Sequence, residues 1–192
     1  MSKIGDKELT ELLRDPASRR RAFAVMVDTY SQPLYWHIRR LVTYHDDADD
    51  VLQNTFVKAW NGLDGFRGES KLQTWLYRIA YNESVTFLQQ QHQHLSLDAA
   101  YGAEDSDDSD NGSRLAETLV ADPYFDGDET DALLQQSLQT LPPKQRNVFC
   151  MKYFQDMKYE DIATATGTSI GALKASYHIA VKKIEAFFNA HD

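Results

Sequence analysis

Apolar positions recur along most of the chain with a helical period, and the alternation expected of a half-buried strand nowhere holds convincingly. The clearest stretch runs from Asp46 to Asn82. Ala48, Val51, Leu52, Thr55, Phe56, Ala59 and Trp60 follow at i, i+3, i+4, i+7, i+8, i+11 and i+12, one face of a 3.6-period helix. A loop with glycines at 62, 65 and 68 separates it from a second helix, whose predicted buried stripe is Leu72, Trp75, Leu76 and Ile79. Lys71, Thr74, Arg78, Tyr81 and Asn82 share that helix's other side. Upstream, Leu9, Leu12 and Leu13 predict a short helix around residues 7–14. A longer helical run follows from Ala17 to about Tyr44, which Pro33 is expected to kink or split.

The pattern lapses after the glutamines 89–91 and resumes near residue 131. Leu133, Leu134, Leu138 and Leu141 then line one side of a helix that ends at Pro142–Pro143, and another helix covers 145–154. Ile162, Ala163 and Thr166 lead to Gly167, a residue suited to the left-handed turn that closes a helix. Thr168 or Ser169 caps the next one, striped by Ile170, Leu173, Tyr177, Ala180, Val181, Ile184, Phe187 and Phe188. A short helix, a glycine turn and a longer helix predict a helix-turn-helix. The expected fold is all-α: two small helical domains, residues 1–93 and 131–192. Residues 94–130, rich in Asp, Ser and Gly and poor in apolar content, are expected to form a flexible acidic linker, with at most a transient helical turn over 114–121.

Charge changes the picture only when divided along the chain. The formal net charge is −9 at pH 7, which argues against a nucleic-acid binder. Residues 1–90 are balanced, however, with twelve basic and twelve acidic side chains. Residues 91–131 hold one basic against twelve acidic, and residues 132–192 hold seven against five. The acidity thus belongs to the linker, leaving a neutral first domain and a slightly basic second one.

No run of about 18 apolar residues is present, so no membrane insertion is expected. The first residues lack the apolar core of a signal peptide. A single cysteine, Cys150, excludes an internal disulfide or a cysteine zinc site and most simply packs in a core. Together these predict a soluble, cytoplasmic protein. Asp46, Asp47, Asp49 and Asp50 crowd a helix start, where the dipole favours carboxylates and side chains can cap free N–H groups. They could hold Mg²⁺ or Ca²⁺, but no second acidic cluster or calcium loop completes a ligand set. His92 and His94 sit in a glutamine-rich helix end. No nucleophile–base pair or phosphate-cradling loop is found, so no catalytic residue, metal or cofactor is expected. The outward side of the last helix, with Ala172, Lys174, Ala175, Ser176 and His178, is small and polar enough to enter a major groove, and Lys182 and Lys183 lie beyond it. The loop Asn61–Ser70, around Phe66 and Arg67, could clasp an unstacked base or be a plain connector.

In order along the chain, DDADDVLQNTFVKAW, FRGESKLQTWLYRIAYN and LPPKQRNVFCMKYFQDMKYEDIATATGTSIGALKAS resemble the two domains of an extracytoplasmic-function (ECF) sigma factor of bacterial RNA polymerase. The resemblance spans nearly everything except the linker. It implies a non-catalytic promoter-specificity subunit that binds core polymerase through its beta and beta-prime subunits. Asp46, Asp47, Asp49, Asp50, Gln53 and Asn54 would face the polymerase clamp. Phe66, Arg67, Ser70, Lys71, Thr74, Arg78, Tyr81 and Asn82 would read and open the minus-ten promoter element. Ser169, Gly171, Ala172, Lys174, Ala175, Ser176 and His178 would read the minus-thirty-five element. It further implies an anti-sigma partner and a linker that threads the polymerase near the RNA exit path. The last helix has Ser176, Ile179 and Val181 where arginines are common, a Bacteroidetes-like trait. The competing readings are a stand-alone, dimeric helix-turn-helix regulator, which leaves Asp46–Asn82 unexplained, and a carboxylate-metal enzyme using Asp46, Asp47 and Asp50.

Overall fold

A computed structural model describes residues 5–42, 44–100 and 129–191, the side chains of 92–100 and 129 excepted. The described residues are helical, and no strand occurs among them. The helices are α1 (Asp6–Arg14), α2 (Arg19–Val42), α3 (His45–Gly62), α4 (Leu72–Ala100), α5 (Glu129–Gln139), α6 (Pro143–Tyr153), α7 (Tyr159–Thr166) and α8 (Ile170–Asn189), with a 3-10 turn at Leu63–Gly65. Most of the acidic stretch expected to be a linker, residues 101–128, lies outside the described residues, as does the helical turn considered for 114–121. The helix α4 continues past residue 93 to Ala100.

The first unit is built around α2. Ala22, Met26, Tyr30, Leu34, Ile38 and Leu41 recur on one face and are buried against α1, α3 and α4. The split considered at Pro33 does not occur: α2 is one 24-residue helix with Pro33 inside it. Proline removes the hydrogen bond to the carbonyl of Thr29. Both residues are exposed, so water can reach that carbonyl, and the packing of Leu34 and Ile38 holds the next turn in place. On α3, Ala48, Val51, Thr55 and Ala59 are buried as their spacing requires. Trp60, placed on the same stripe by its spacing, is 40% exposed, with its ring edge-on to Phe23. The N-cap residue of α3 is Tyr44, whose side chain makes no capping bond, and Asp46 and Asp47 lie in the first turn.

In the second unit, α5 and α6 form a hairpin turned by Pro142–Pro143, with Pro143 in the first turn of α6, where its missing N–H costs no helical bond. Gly167 closes α7 at φ 67°, and the Ser169 hydroxyl accepts from the Ala172 N–H at 3.4 Å to cap α8. Leu138, Leu141, Phe149, Cys150, Ala180 and Ile184 form a core of this unit's own. Val148, Met151, Met157, Ile162, Ala165 and Leu173, by contrast, join the core of the first unit. The two units therefore share a seam, with α7 against α4 and the α5–α6 hairpin against α2.

Candidate nucleic-acid interface

Three surfaces gather the residues singled out in the sequence. The first is the outer side of α3. Asp46, Asp50, Gln53 and Asn54 are exposed at i, i+4, i+7 and i+8, a continuous acidic and amide strip. Asp49 is turned toward His45, 3.5 Å away. Asp47 is half-buried, and its pKa is raised, first by burial and then by Asp50 and Asp46, so it belongs to the inner edge of the strip. The sequence reading missed Val57. It is 58% exposed one turn beyond Gln53 and gives the strip an apolar end. The available signal was an aliphatic residue at a solvent-side position of the wheel.

The second surface is α4 with its preceding loop, and here two expectations need correction. Phe66, expected in an exposed loop, is only 6% exposed, stacked on Trp75 with centroids 4.6 Å apart. The 3-10 turn buries Leu63 and folds the loop back, so that Phe66 completes the core instead of presenting a ring to solvent. Thr74 was placed on the outward side but is 2% exposed. The helix α7 of the second unit packs on α4, a second neighbour that a one-stripe wheel does not include. Tyr81 is half-buried, and burial pushes its phenol pKa up. Arg67, Lys71, Arg78 and Asn82 are exposed and Ser70 half-exposed. Arg78 and Asn82 lie one turn apart, and Lys71 is two turns before Arg78 on the same side. Lys71 is held by Asp161 of α7 at 2.6 Å.

The third surface is the N-terminal half of α8. Ser169, Gly171, Ala172, Lys174, Ala175 and His178 are exposed, Ser176 is half-buried, and Leu173 points inward. The Lys174 ammonium lies 5.8 Å from the Tyr159 ring. Such a small-residue helix start, presented behind a glycine turn, has the shape of a groove-entering element.

Among the described residues, no group of three or more His, Cys, Asp or Glu side chains could hold a metal ion, and no helix is long and apolar enough to cross a membrane. The comparison with known proteins accounts for both units. Residues 26–93 match sigma-70 region 2, and residues 131–184 match sigma-70 region 4. The chain is 32% identical to the RNA polymerase sigma-H factor of Pseudomonas aeruginosa over 88% of its own length and 86% of that protein's. It belongs to the sigma-70 family, in the ECF group.

Other relatives agree with this placement. The ECF RNA polymerase sigma-E factor of Haemophilus influenzae is 27% identical over 95% of this chain and 94% of that protein. SigW of Bacillus subtilis is 28% identical over 82% of this chain and 83% of that protein. In fold, the chain resembles the sigma factor RpoE of Bartonella quintana, solved with the anti-sigma factor NepR. The TM-score is 0.70 at 22% identity, with 87% of this chain and 96% of that one covered. It also resembles CnrH, solved with the cytosolic domain of CnrY, at a TM-score of 0.68 and 23% identity over 97% of this chain and 99% of that one. The protein is an RNA polymerase sigma factor, and the stand-alone regulator is not favoured. Its relatives are regulatory initiation factors, not enzymes.

Proposed function

We propose that this sigma factor docks on the beta-prime clamp of core polymerase through the α3 strip Asp46–Asp50–Gln53–Asn54–Val57, with further contacts to beta. In this reading residues 1–93 also read the minus-ten element, through Arg67, Ser70, Lys71, Arg78 and Asn82. Residues 131–192 read the minus-thirty-five element through α8. The observation that carries the reading is the opposition of two exposed faces on consecutive helices, acidic and amide on α3, basic and amide on α4. Each suits a partner of opposite sign, a basic protein surface and a nucleic-acid backbone. The chain then acts without catalysis of its own. Binding to polymerase holds two weak DNA readers together, so avidity substitutes for the affinity of either.

The scarcity of basic side chains on α8 fits low affinity of the free protein for DNA, because few phosphates are neutralised. It is also what motivates the Bacteroidetes-like reading of the protein's origin. An anti-sigma factor is a further expected partner, since the similar RpoE of Bartonella quintana was solved with the anti-sigma factor NepR. The working place is the cytoplasm, where polymerase and promoter are. The test is reconstitution: purified protein is added to core polymerase, and transcription is measured from a promoter carrying both elements. Sigma-dependent transcripts are expected. Dimeric DNA binding without transcription would restore the regulator, and metal-dependent turnover would restore the enzyme.

A further inference from the structure

The exposed side of α8 carries little charge and an uncovered aliphatic side chain. Ala172, Ala175 and Ile179 are all exposed and follow at i, i+3 and i+7, so they share one face. Ile179 is 44% exposed. Leu173, Ala180 and Ile184 are buried on another side, so α8 packs on its unit without using this face. Gly167 turns the chain into α8 at φ 67°, and the Ser169 hydroxyl caps it through the Ala172 N–H. The stripe therefore begins in the first turn of a presented helix. With about 1.5 Å of rise per residue it runs about 10 Å along the axis. That matches about three steps of duplex DNA, at about 3.4 Å each.

The basic side chains of α8 stand beside the stripe. Lys174 is turned toward α7, its ammonium 5.8 Å from the Tyr159 ring. Lys182 and Lys183 follow three and four residues after Ile179, both exposed. Lysines so placed suit phosphates, which hold a protein in register on a duplex without reading its sequence. The helix contains no arginine, so the fork that pairs with guanine O6 and N7 is not available. Ser176, half-buried at the edge of the stripe, can bond to any base edge and so discriminates little. The major-groove feature that alanine and isoleucine can take is the C5-methyl group of thymine. Burying that methyl against an aliphatic side chain needs neither a donor nor an acceptor.

We infer that α8 selects its duplex through thymine methyl groups, with Ile179 as the main specificity-determining residue and Ala172 and Ala175 letting the helix close on the groove. This rests on the proposed reading of the minus-thirty-five element by α8 and names the base feature read there. The element then carries thymines, on either strand, over about three adjacent base pairs. Discrimination comes from lost apolar contact, so each methyl removed weakens binding about fourfold. Phosphates held by Lys174, Lys182 and Lys183 add affinity to every sequence alike.

Holoenzyme reconstituted with core polymerase is the form to test, because both DNA readers act together there. Duplex fragments randomised at both promoter elements are bound, recovered and sequenced. Thymine enrichment over about three adjacent upstream pairs is expected. The selected duplex is then remade with deoxyuridine in place of those thymines, which removes the methyl and leaves the pairing groups unchanged. Affinity should fall about fourfold per methyl. Ile179→Ala alters an exposed side chain, so the fold should hold, and the uracil penalty at one position should shrink to about twofold or less. His178→Ala should keep the full penalty, whatever it does to overall affinity. Ile179→Arg should move the selected sequences toward guanine. Guanine-dominated selection by the wild type would overturn the inference, as would equal binding of the deoxyuridine duplex or an unchanged penalty in Ile179→Ala. Enrichment at the minus-ten element with none upstream would overturn the assignment of α8 along with it.

Discussion

The ring of Phe66 lies on that of Trp75, centroids 4.6 Å apart and planes 27° apart. This stack ties the loop before α4 to the body of the first unit. Removing it by Phe66→Ala should cost about 3 kcal/mol of stability, the usual range for a buried aromatic, whereas Phe66→Leu should cost about 1 kcal/mol. Denaturant melts measure both. Arg67 is the exposed neighbour, so Arg67→Ala should leave the melt unchanged and slow promoter opening. If Arg67→Ala opens promoters at the normal rate while Phe66→Leu does not, the base-reading role returns to the aromatic ring.

The α3 strip makes a separable prediction. Asp50→Lys and Val57→Glu each alter an exposed side chain, so unfolding should shift by no more than about 0.5 kcal/mol. Each should weaken competition for core polymerase by about tenfold, through lost charge complementarity in one case and lost apolar contact in the other. Variants that still compete at full strength would move the docking surface away from α3.

His37 predicts a pH dependence. It is fully buried on α2, with the Tyr77 ring 4.9 Å away, Asn147 facing it from α6 and Arg40 one turn along its own helix. Its pKa is lowered to about 3, first by burial and then by the Arg40 charge, with Asn147 partly offsetting them. A group depressed in the folded state and near 6.5 when unfolded stabilises the fold fully above pH 6.5. That contribution is lost as pH falls from about 6.5 toward 3. Between pH 7.5 and 5.5 the loss should be about 1.4 kcal/mol. His37→Phe should flatten this part of the stability–pH curve, which is read by melts at several pH values. A curve equally steep without His37 would assign the dependence to other groups.

The helices and the helix-turn-helix were legible because each needs only a 3.6-residue period and a turn residue such as Gly167. The exposure of α4 was not. A one-stripe wheel assumes one packing partner, but α4 has two. Leu72, Leu76, Tyr77 and Ala80 join the first unit's core, while the Tyr77 hydroxyl and Lys71 reach Gln155 and Asp161 of the second unit. That second partner comes from residues 78 to 90 positions away in the chain, in the contacts Tyr77–Gln155 and Lys71–Asp161, and no local pattern announces it. The fate of Phe66 was hidden for a related reason. A glycine-rich stretch looks like an exposed loop until a 3-10 turn folds its aromatic ring inward. Among the site residues, the short polar or charged ones on α3 and α8 were read correctly as exposed, apart from the half-buried Asp47, Asp49 and Ser176.

Gly167 isolates what the turn itself contributes. Its φ of 67° is left-handed, and a Cβ added there would meet nothing within 4 Å. The cost of Gly167→Ala is therefore backbone strain without a clash, about 1 kcal/mol, and Gly167→Asn should cost less because asparagine tolerates this region. The α3 strip lies on the other unit, so docking on polymerase should be unchanged in both variants. Use of the minus-thirty-five element should fall with Gly167→Ala, because the angle between α7 and α8 sets how the start of α8 is presented. Melts and transcription from promoters with and without the upstream element give the two readings. A destabilised variant that still uses the upstream element normally would show that the turn contributes to stability and not to the presentation of α8.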